Sequence, residues 1–272
     1  MIKIFLIFFA AFIIGIESIH KGKEVNSTIW EKFEAVVSVH QFGSHICGGA
    51  LIRNDYVVTA AHCVVYLSKK TKQNLKVLIG SRHQNSGGFK LNVEKIIHPE
   101  EYDPTYPFLN NIALLKLEKP LTREHKIQLE IQKKIDLPGK DNDQSSTKND
   151  GKESPTGGKC EKVQFAGWGN TGASMGLPFE NSDKLHYLKM EIIGQNKCNR
   201  KSLLQVQGQH LCAYNGGSNG IRFGDSGSPV INAVGKLAGI SCGPIDSLNY
   251  DIHPEIFTNV LHFVDWIKRN ID

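Results

Sequence analysis

An all-β fold in two packed halves is what this sequence predicts, on three observations. Short runs of Val, Ile and Leu recur between Gly, Asn and Asp turn signals, the pattern of a sandwich or barrel. The chain has 272 residues, enough for two substantial cores. The stretch from Gly139 to Lys159 is dense in Lys, Asp, Asn, Ser and Gly, with no aliphatic or aromatic side chain. It cannot bury enough surface to offset the entropy of ordering, so it reads as a flexible connection between the halves.

Taken in order, the elements begin with Lys3 and an apolar run from Ile4 to Ile16. That run is shorter than the roughly 20 residues of a spanning helix and has the form of a signal-peptide core. Residues 1–18 are therefore expected to be a signal peptide with at most a very short propeptide. A membrane anchor is the alternative, against which stands the polar stretch His20-Lys21-Gly22-Lys23-Glu24. Strands are predicted at Ala35–Val39, Gly49–Ile52, Tyr56–Val58 and Lys76–Ile79, then, after the connection, at Lys162–Ala166, Pro229–Ile231, Leu237–Ile240 and Ile256–Thr258. Tyr187–Ile192 alternates apolar and charged residues from Leu188 and joins them. Val260–Ile267 has helical apolar spacing and predicts a short amphipathic helix at the end.

A net charge of +5, from 32 basic and 27 acidic residues, is mild. No nucleic-acid motif accompanies the lysines, so a solvated basic face is the expectation, and no nucleic-acid partner. The six cysteines, in a secreted chain, are expected to form disulfides, although six allow about 15 connectivities. Asn26-Ser27-Thr28 is a glycosylation sequon consistent with secretion.

Two strings carry chemistry: Thr59-Ala60-Ala61-His62-Cys63 and Gly224-Asp225-Ser226-Gly227-Ser228-Pro229. A serine hydroxyl is a poor nucleophile at neutral pH and needs an imidazole to take its proton, and the imidazole needs a partner to hold it. With Asn111-Ile112-Ala113-Leu114-Leu115, Cys47-Gly48-Gly49, Gly167-Trp168-Gly169 and the C-terminal helix, these strings closely resemble the trypsin/chymotrypsin-like serine protease family over residues 19–272. The resemblance implies two six-stranded antiparallel β-barrels with the active site between them, a protein substrate or binding partner, a monomer, and neither cofactor nor metal. No calcium-loop acids stand out near Ser81 to Gly88.

The resemblance also implies roles. His62, Asn111 and Ser226 occupy the triad positions, and the amides of Gly224 and Ser226 the oxyanion hole. Asp225 would pair with a new N-terminal ammonium at Ile19, although the family's Val-Gly-Gly after that Ile is here His20-Lys21-Gly22. Gly220, Ser241, Gly243 and Glu255 fall at substrate-binding positions. Cys47–Cys63 and Cys198–Cys212 match family bridges. Cys160 lies near a third bridging position whose usual partner is replaced by Asn232; Cys160 and Cys242 either pair with each other or remain thiols.

The departures matter as much. The family has Asp where this chain has Asn111. A carboxylate fixes the imidazole tautomer and stabilises the imidazolium, whereas a carboxamide can present its NH2 to the ring and select the wrong tautomer. In proteases of this kind that change lowers turnover by about 10⁴, roughly 5.5 kcal/mol. Asp103, eight positions upstream, is a candidate substitute. Gly220 replaces the pocket Asp of trypsin-like members, Arg222 a Cys, and Cys242 a Trp. The absence of that Cys at Arg222, together with Pro254-Glu255-Ile256-Phe257, resembles the granzyme, chymase and cathepsin G branch. There a Glu matching Glu255 lines the pocket floor and accepts basic or large side chains; otherwise Glu255 is a solvated loop residue. The expected function is a secreted, extracellular endopeptidase homologue with weakened or lost hydrolysis that acts by protein binding. The alternative is a working endopeptidase using His62 and Ser226.

Overall fold

A computed structural model describes residues 22–67, 73–128, 161–169, 182–202, 204–216, 220–243 and 253–271. The expected signal segment, Ile19, the connection at 139–159 and Cys160 lie outside the described residues.

The first barrel closes from six antiparallel strands: β2 (Val36–Gln41), β3 (Ser44–Arg53), β4 (Tyr56–Thr59), β5 (Leu75–Ile79), β6 (Phe89–Ile97) and β7 (Ala113–Leu117), in the ring order β2-β3-β4-β7-β6-β5. β2 and β3 form a hairpin whose central residues, Phe42 and Gly43, both take positive φ, 52° and 87°. That pairing of dihedrals matches the right-handed strand twist in a two-residue turn. It leaves the Phe42 ring exposed.

The second barrel contains β8 (Lys162–Gly167), β9 (His186–Ile193), β10 (His210–Tyr214), β11 (Pro229–Asn232), β12 (Leu237–Ser241) and β13 (Glu255–Asn259). The ring runs β8-β9-β10-β13-β12-β11 and returns to β8, and β1 (Lys23–Glu24) adds to the edge of β9. All pairings are antiparallel. Short helices α1 (Arg123–Gln128) and α2 (Gln195–Lys201) precede the final helix α3 (Val260–Asn270).

Every strand expected from the sequence is present, and so is the C-terminal helix. Four strands are not singled out by the sequence reading: β1, β6, β7 and β10. β7 begins two residues past Asn111, and β6 alternates Phe89, Leu91 and Val93 with Lys90, Asn92 and Glu94 but buries none of its side chains fully.

β-branched and aliphatic residues fill the first barrel, among them Val37, Val39, Leu51, Val58, Val77 and Leu114. Val163, Phe165, Leu188, Met190, Val230 and Phe257 fill the second. Asn259 caps α3 by accepting the Leu261 amide at 3.2 Å, the role this residue type favours. The helix then buries Val260, Phe263, Val264 and Ile267, and Val260, Phe263 and Ile267 join the larger core.

Candidate active site

The seam between the barrels is stitched by a few directed bonds, and the motif residues cluster there. Gly48 N donates to Ser226 O at 2.7 Å, and Thr258 Oγ1 of β13 donates to Asn111 O at 2.9 Å. The chain leaving β4 makes a single 3₁₀ turn, Ala61–Cys63, that presents His62. The Cys47–Cys63 disulfide closes this turn onto β3, and Cys198–Cys212 ties α2 to β10, both as the resemblance implies.

Asn111 is wholly buried. Its Oδ1 accepts the His62 backbone amide at 3.1 Å, and its Nδ2 lies 2.9 Å from His62 Nδ1. A backbone N–H cannot reverse its role, so it assigns the oxygen and leaves the NH2 to face the ring. His62 Nδ1 must then accept, which places the ring proton on Nε2, the atom a general base needs free. Burial is the main influence on His62 and lowers its pKa below the ordinary value. Asp103 offers no substitute carboxylate. It is exposed, and its Oδ1 accepts the Thr105 amide at 2.8 Å and the Thr105 hydroxyl at 2.6 Å.

Cys242 is a buried free thiol. Its Sγ lies 3.4 Å from Thr258 Oγ1 and contacts the Asn111 side chain. Burial pushes the thiol up to about 11, which keeps it protonated and unreactive. Cys47, His62 and Cys63 come together closely, but the two sulfurs are already joined in the disulfide and are not metal ligands.

The nucleophile side is built mainly from backbone. Gly224 and Gly227 take φ of 94° and 78°, a region that disfavours side chains. Among the described residues, neither the Gly224 amide nor the Ser226 amide has an acceptor, which leaves both able to donate to a developing oxyanion. The half-buried Ser226 Oγ has no hydrogen bond to His62 among the described residues. It lies on the side of Gly243, where an added Cβ would approach it to 2.9 Å.

Asp225 is buried beneath this turn. Its Oδ1 accepts Gly169 N at 2.7 Å and its Oδ2 accepts Arg222 N at 2.9 Å. A Cβ at Gly167 or Gly169 would collide with the carboxylate, which explains why the Gly-Trp-Gly segment has no side chains there. Burial pushes Asp225 up to about 7, against the pull of the two amides and the Arg222 guanidinium.

Glu255 opens β13 and is no solvated loop residue: its carboxyl group is buried, and Oε1 accepts Ile221 N at 2.9 Å. Ser241 pairs with Phe257 in the β12–β13 ladder, and its Oγ accepts Gly243 N at 3.2 Å. Gly220 is buried immediately ahead of Ile221.

Sequence reasoning missed a polar chain that supports the Gly224 turn. His45 Nε2 donates to Gly224 O at 2.9 Å, its Nδ1 accepts from Ser38 Oγ at 2.7 Å, and Ser38 Oγ lies 2.9 Å from His40 Nε2. Burial holds His45 neutral, lowering it to about 4. The one available signal was Ser38 and His40 two apart on a strand, hence on one face.

A sequence profile of the trypsin family matches residues 19–267. Trypsin alpha-4 of Lucilia cuprina is 30% identical over 217 residues, covering 79% of this chain and 73% of the relative. Trypsin epsilon of Drosophila erecta is 28% identical over 242 residues, covering 86% and 80% respectively. In three dimensions, neuropsin, a serine protease expressed in the limbic system of mouse brain, superposes with a TM-score of 0.71 at 23% identity, covering 93% of this chain and 99% of neuropsin. The matched span takes in both barrels and every motif described above, and the chain belongs to the trypsin family of serine proteases.

Proposed function

We propose that this trypsin-family chain hydrolyses peptide bonds weakly or not at all and acts mainly by binding proteins, in the extracellular space to which its N-terminal segment would direct it. One observation carries the reading: Asn111 Nδ2 faces His62 Nδ1 at 2.9 Å while Oδ1 is held by a backbone amide. The imidazole then lacks both the correct tautomer and the negative charge that would stabilise it once protonated. Binding needs neither, because a peptide is positioned by backbone and pocket contacts that Asn111 does not make.

A second reading, slow but genuine peptide hydrolysis, is favoured by the amides of Gly224 and Ser226, both without acceptors. Such amides and substrate binding alone leave about 10³–10⁴-fold acceleration over water. In either reading His62 and Ser226 are the reacting pair, Ile19 is the terminus that would pair with Asp225, and the protein is a monomer.

Labelling with a fluorophosphonate separates the two. The unmodified protein is expected to label slowly and Asn111→Asp rapidly. Rapid labelling of the unmodified protein, abolished by Ser226→Ala, would make it a working protease and remove the binding-protein reading.

A further inference from the structure

One motif of the sequence is left unused by peptide binding and by hydrolysis: Asn26-Ser27-Thr28. Asn26 is the only asparagine in the chain followed two positions later by Ser or Thr, and the residue between is not Pro. That is the acceptor pattern for an N-linked glycan, a bulky, solubilising group that belongs on a surface.

The fold keeps all three residues on the surface, in the turn between β1 and the 3₁₀ turn Trp30–Lys32. Thr28 N donates to Asn26 Oδ1 at 3.1 Å, and Ile29 N donates to Asn26 O at 3.3 Å. The carboxamide oxygen is thus turned back onto its own backbone, while Nδ2 has no hydrogen bond to protein among the described residues. This turn closes within three residues, so it is available to a chain that has not yet folded. Buried neighbours hold its base: Val25 is in the core, its amide donating to Leu185 O at 2.8 Å, and Ile29 and Trp30 pack against the same core. A large polar group on Asn26 therefore displaces no core side chain. β1 is also the outer strand of its sheet, paired only with β9. An open strand edge invites pairing with other chains, and a glycan two residues past Glu24 would stand beside that edge.

We propose that Asn26 is a modification site, the acceptor of an N-linked oligosaccharide. Nδ2 forms a bond to the anomeric carbon of an oligosaccharide carried on a lipid diphosphate. The bond from that carbon to the phosphate oxygen breaks, Nδ2 gives up one proton, and the lipid diphosphate departs; neither oxidant nor reductant is needed. This rests on the extracellular part of the reading above, because such a donor meets only a chain that enters the secretory lumen.

Expression of the full chain in cultured insect cells, with medium and lysate blotted before and after PNGase F, tests it. Protein in the medium is expected to fall by a single step in apparent mass on treatment. Asn26→Gln and Thr28→Ala are expected to run at the lower position untreated, whereas Thr28→Ser keeps the step. Secreted protein that the enzyme leaves unshifted overturns the proposal, and so does a step that survives Asn26→Gln. Should the intact chain stay in the cells, a cleavable secretion leader placed ahead of Ile19 separates the two claims. A step at Asn26 in that protein sustains the modification site and removes the extracellular reading, while secretion without the step overturns the modification site.

Discussion

The two sides of the candidate site have been kept by different means. On the nucleophile side, function resides in backbone: two positive-φ glycines, amides without acceptors and a buried Asp225 anchored by two amides. On the base side the geometry is equally complete, with His62 and Asn111 in contact at 2.9 Å, but the one group that must carry charge is an amide. Position is secured by many contacts at once, so it survives the change of any single atom. Charge at a triad position resides in one atom, and exchanging an oxygen for NH2 inverts the hydrogen bond without disturbing the fold.

The largest expected effect restores that atom. Asn111→Asp should raise the fluorophosphonate labelling rate by about 10³–10⁴-fold, the inverse of what the reverse change costs a working protease. It should also raise the His62 pKa, which burial now holds below its ordinary value, because a neighbouring carboxylate favours the imidazolium. Proton NMR of the ring reads the second effect independently of labelling. A raised pKa with no gain in labelling would place the defect on the nucleophile side and reverse the comparison.

Next in size is a blow to that other side. Gly227→Ala puts a Cβ where Thr59 Oγ1 and Gly48 O already stand, at a φ of 78°. We expect a loss of roughly 2–4 kcal/mol from the combined clash and strain, read by chemical denaturation. In the Asn111→Asp background the same change should abolish the restored labelling. If both stability and labelling survive, the turn is less constrained than its contacts imply.

Much of this was legible in the sequence, for reasons that differ by residue. Gly224-Asp225-Ser226-Gly227 announces itself because a strained turn admits few residue types, and the expected barrel strands show short apolar-rich runs between turn residues or, in β9, alternating apolar and charged residues. Asn111 was flagged as an exchange, but which atom of its amide faces the ring depends on the His62 backbone amide, 49 residues away. The chain from His40 through Ser38 and His45 to Gly224 was invisible for the same reason, since its last bond spans 179 residues. Arg222 and Glu255 each stand out as departures, yet the bond from Ile221 N to the Glu255 carboxyl group exists only because β13 packs beside the nucleophile segment.

Two buried groups that support the nucleophile turn, Asp225 and His45, should respond to pH with opposite sign. Asp225 has a folded pKa raised to about 7 from an ordinary 3.8. The folded state thus binds the extra proton, and stability from this group is lost as pH rises from about 4 through 7. His45 is lowered to about 4 from 6.5, so its contribution is lost as pH falls from about 6.5 towards 4. Relative to Asp225→Asn, the intact protein should therefore lose thermal midpoint between pH 5 and 8; relative to His45→Gln, it should lose midpoint between pH 7 and 4. In a chain that begins at Ile19, an inserted ammonium would stabilise the Asp225 carboxylate and flatten the first dependence. That flattening is the direct sign that the terminus enters.

The smallest effect is a gain on the nucleophile side, and it asks whether every part of that backbone frame is optimal. Ser228 is fully buried, and its hydroxyl has no hydrogen-bond partner among the described residues. It is pressed against Gly48, where an added Cβ would collide with Ser228 Oγ, and lies 3.0 Å from the Cβ position of Gly167. A buried hydroxyl without a partner costs about 1–3 kcal/mol, while the oxygen it would vacate is too small to leave a large cavity. Ser228→Ala should therefore stabilise the protein by about 1 kcal/mol, a rise of roughly 2–4 °C in Tm for a chain of this size, measured by calorimetry. The amides of Gly224 and Ser226 are untouched by the change, so labelling of the Asn111→Asp protein should not fall. A drop in Tm would show that the hydroxyl makes a bond that stabilises the turn, and the nucleophile side would then depend, like the base side, on a single polar atom.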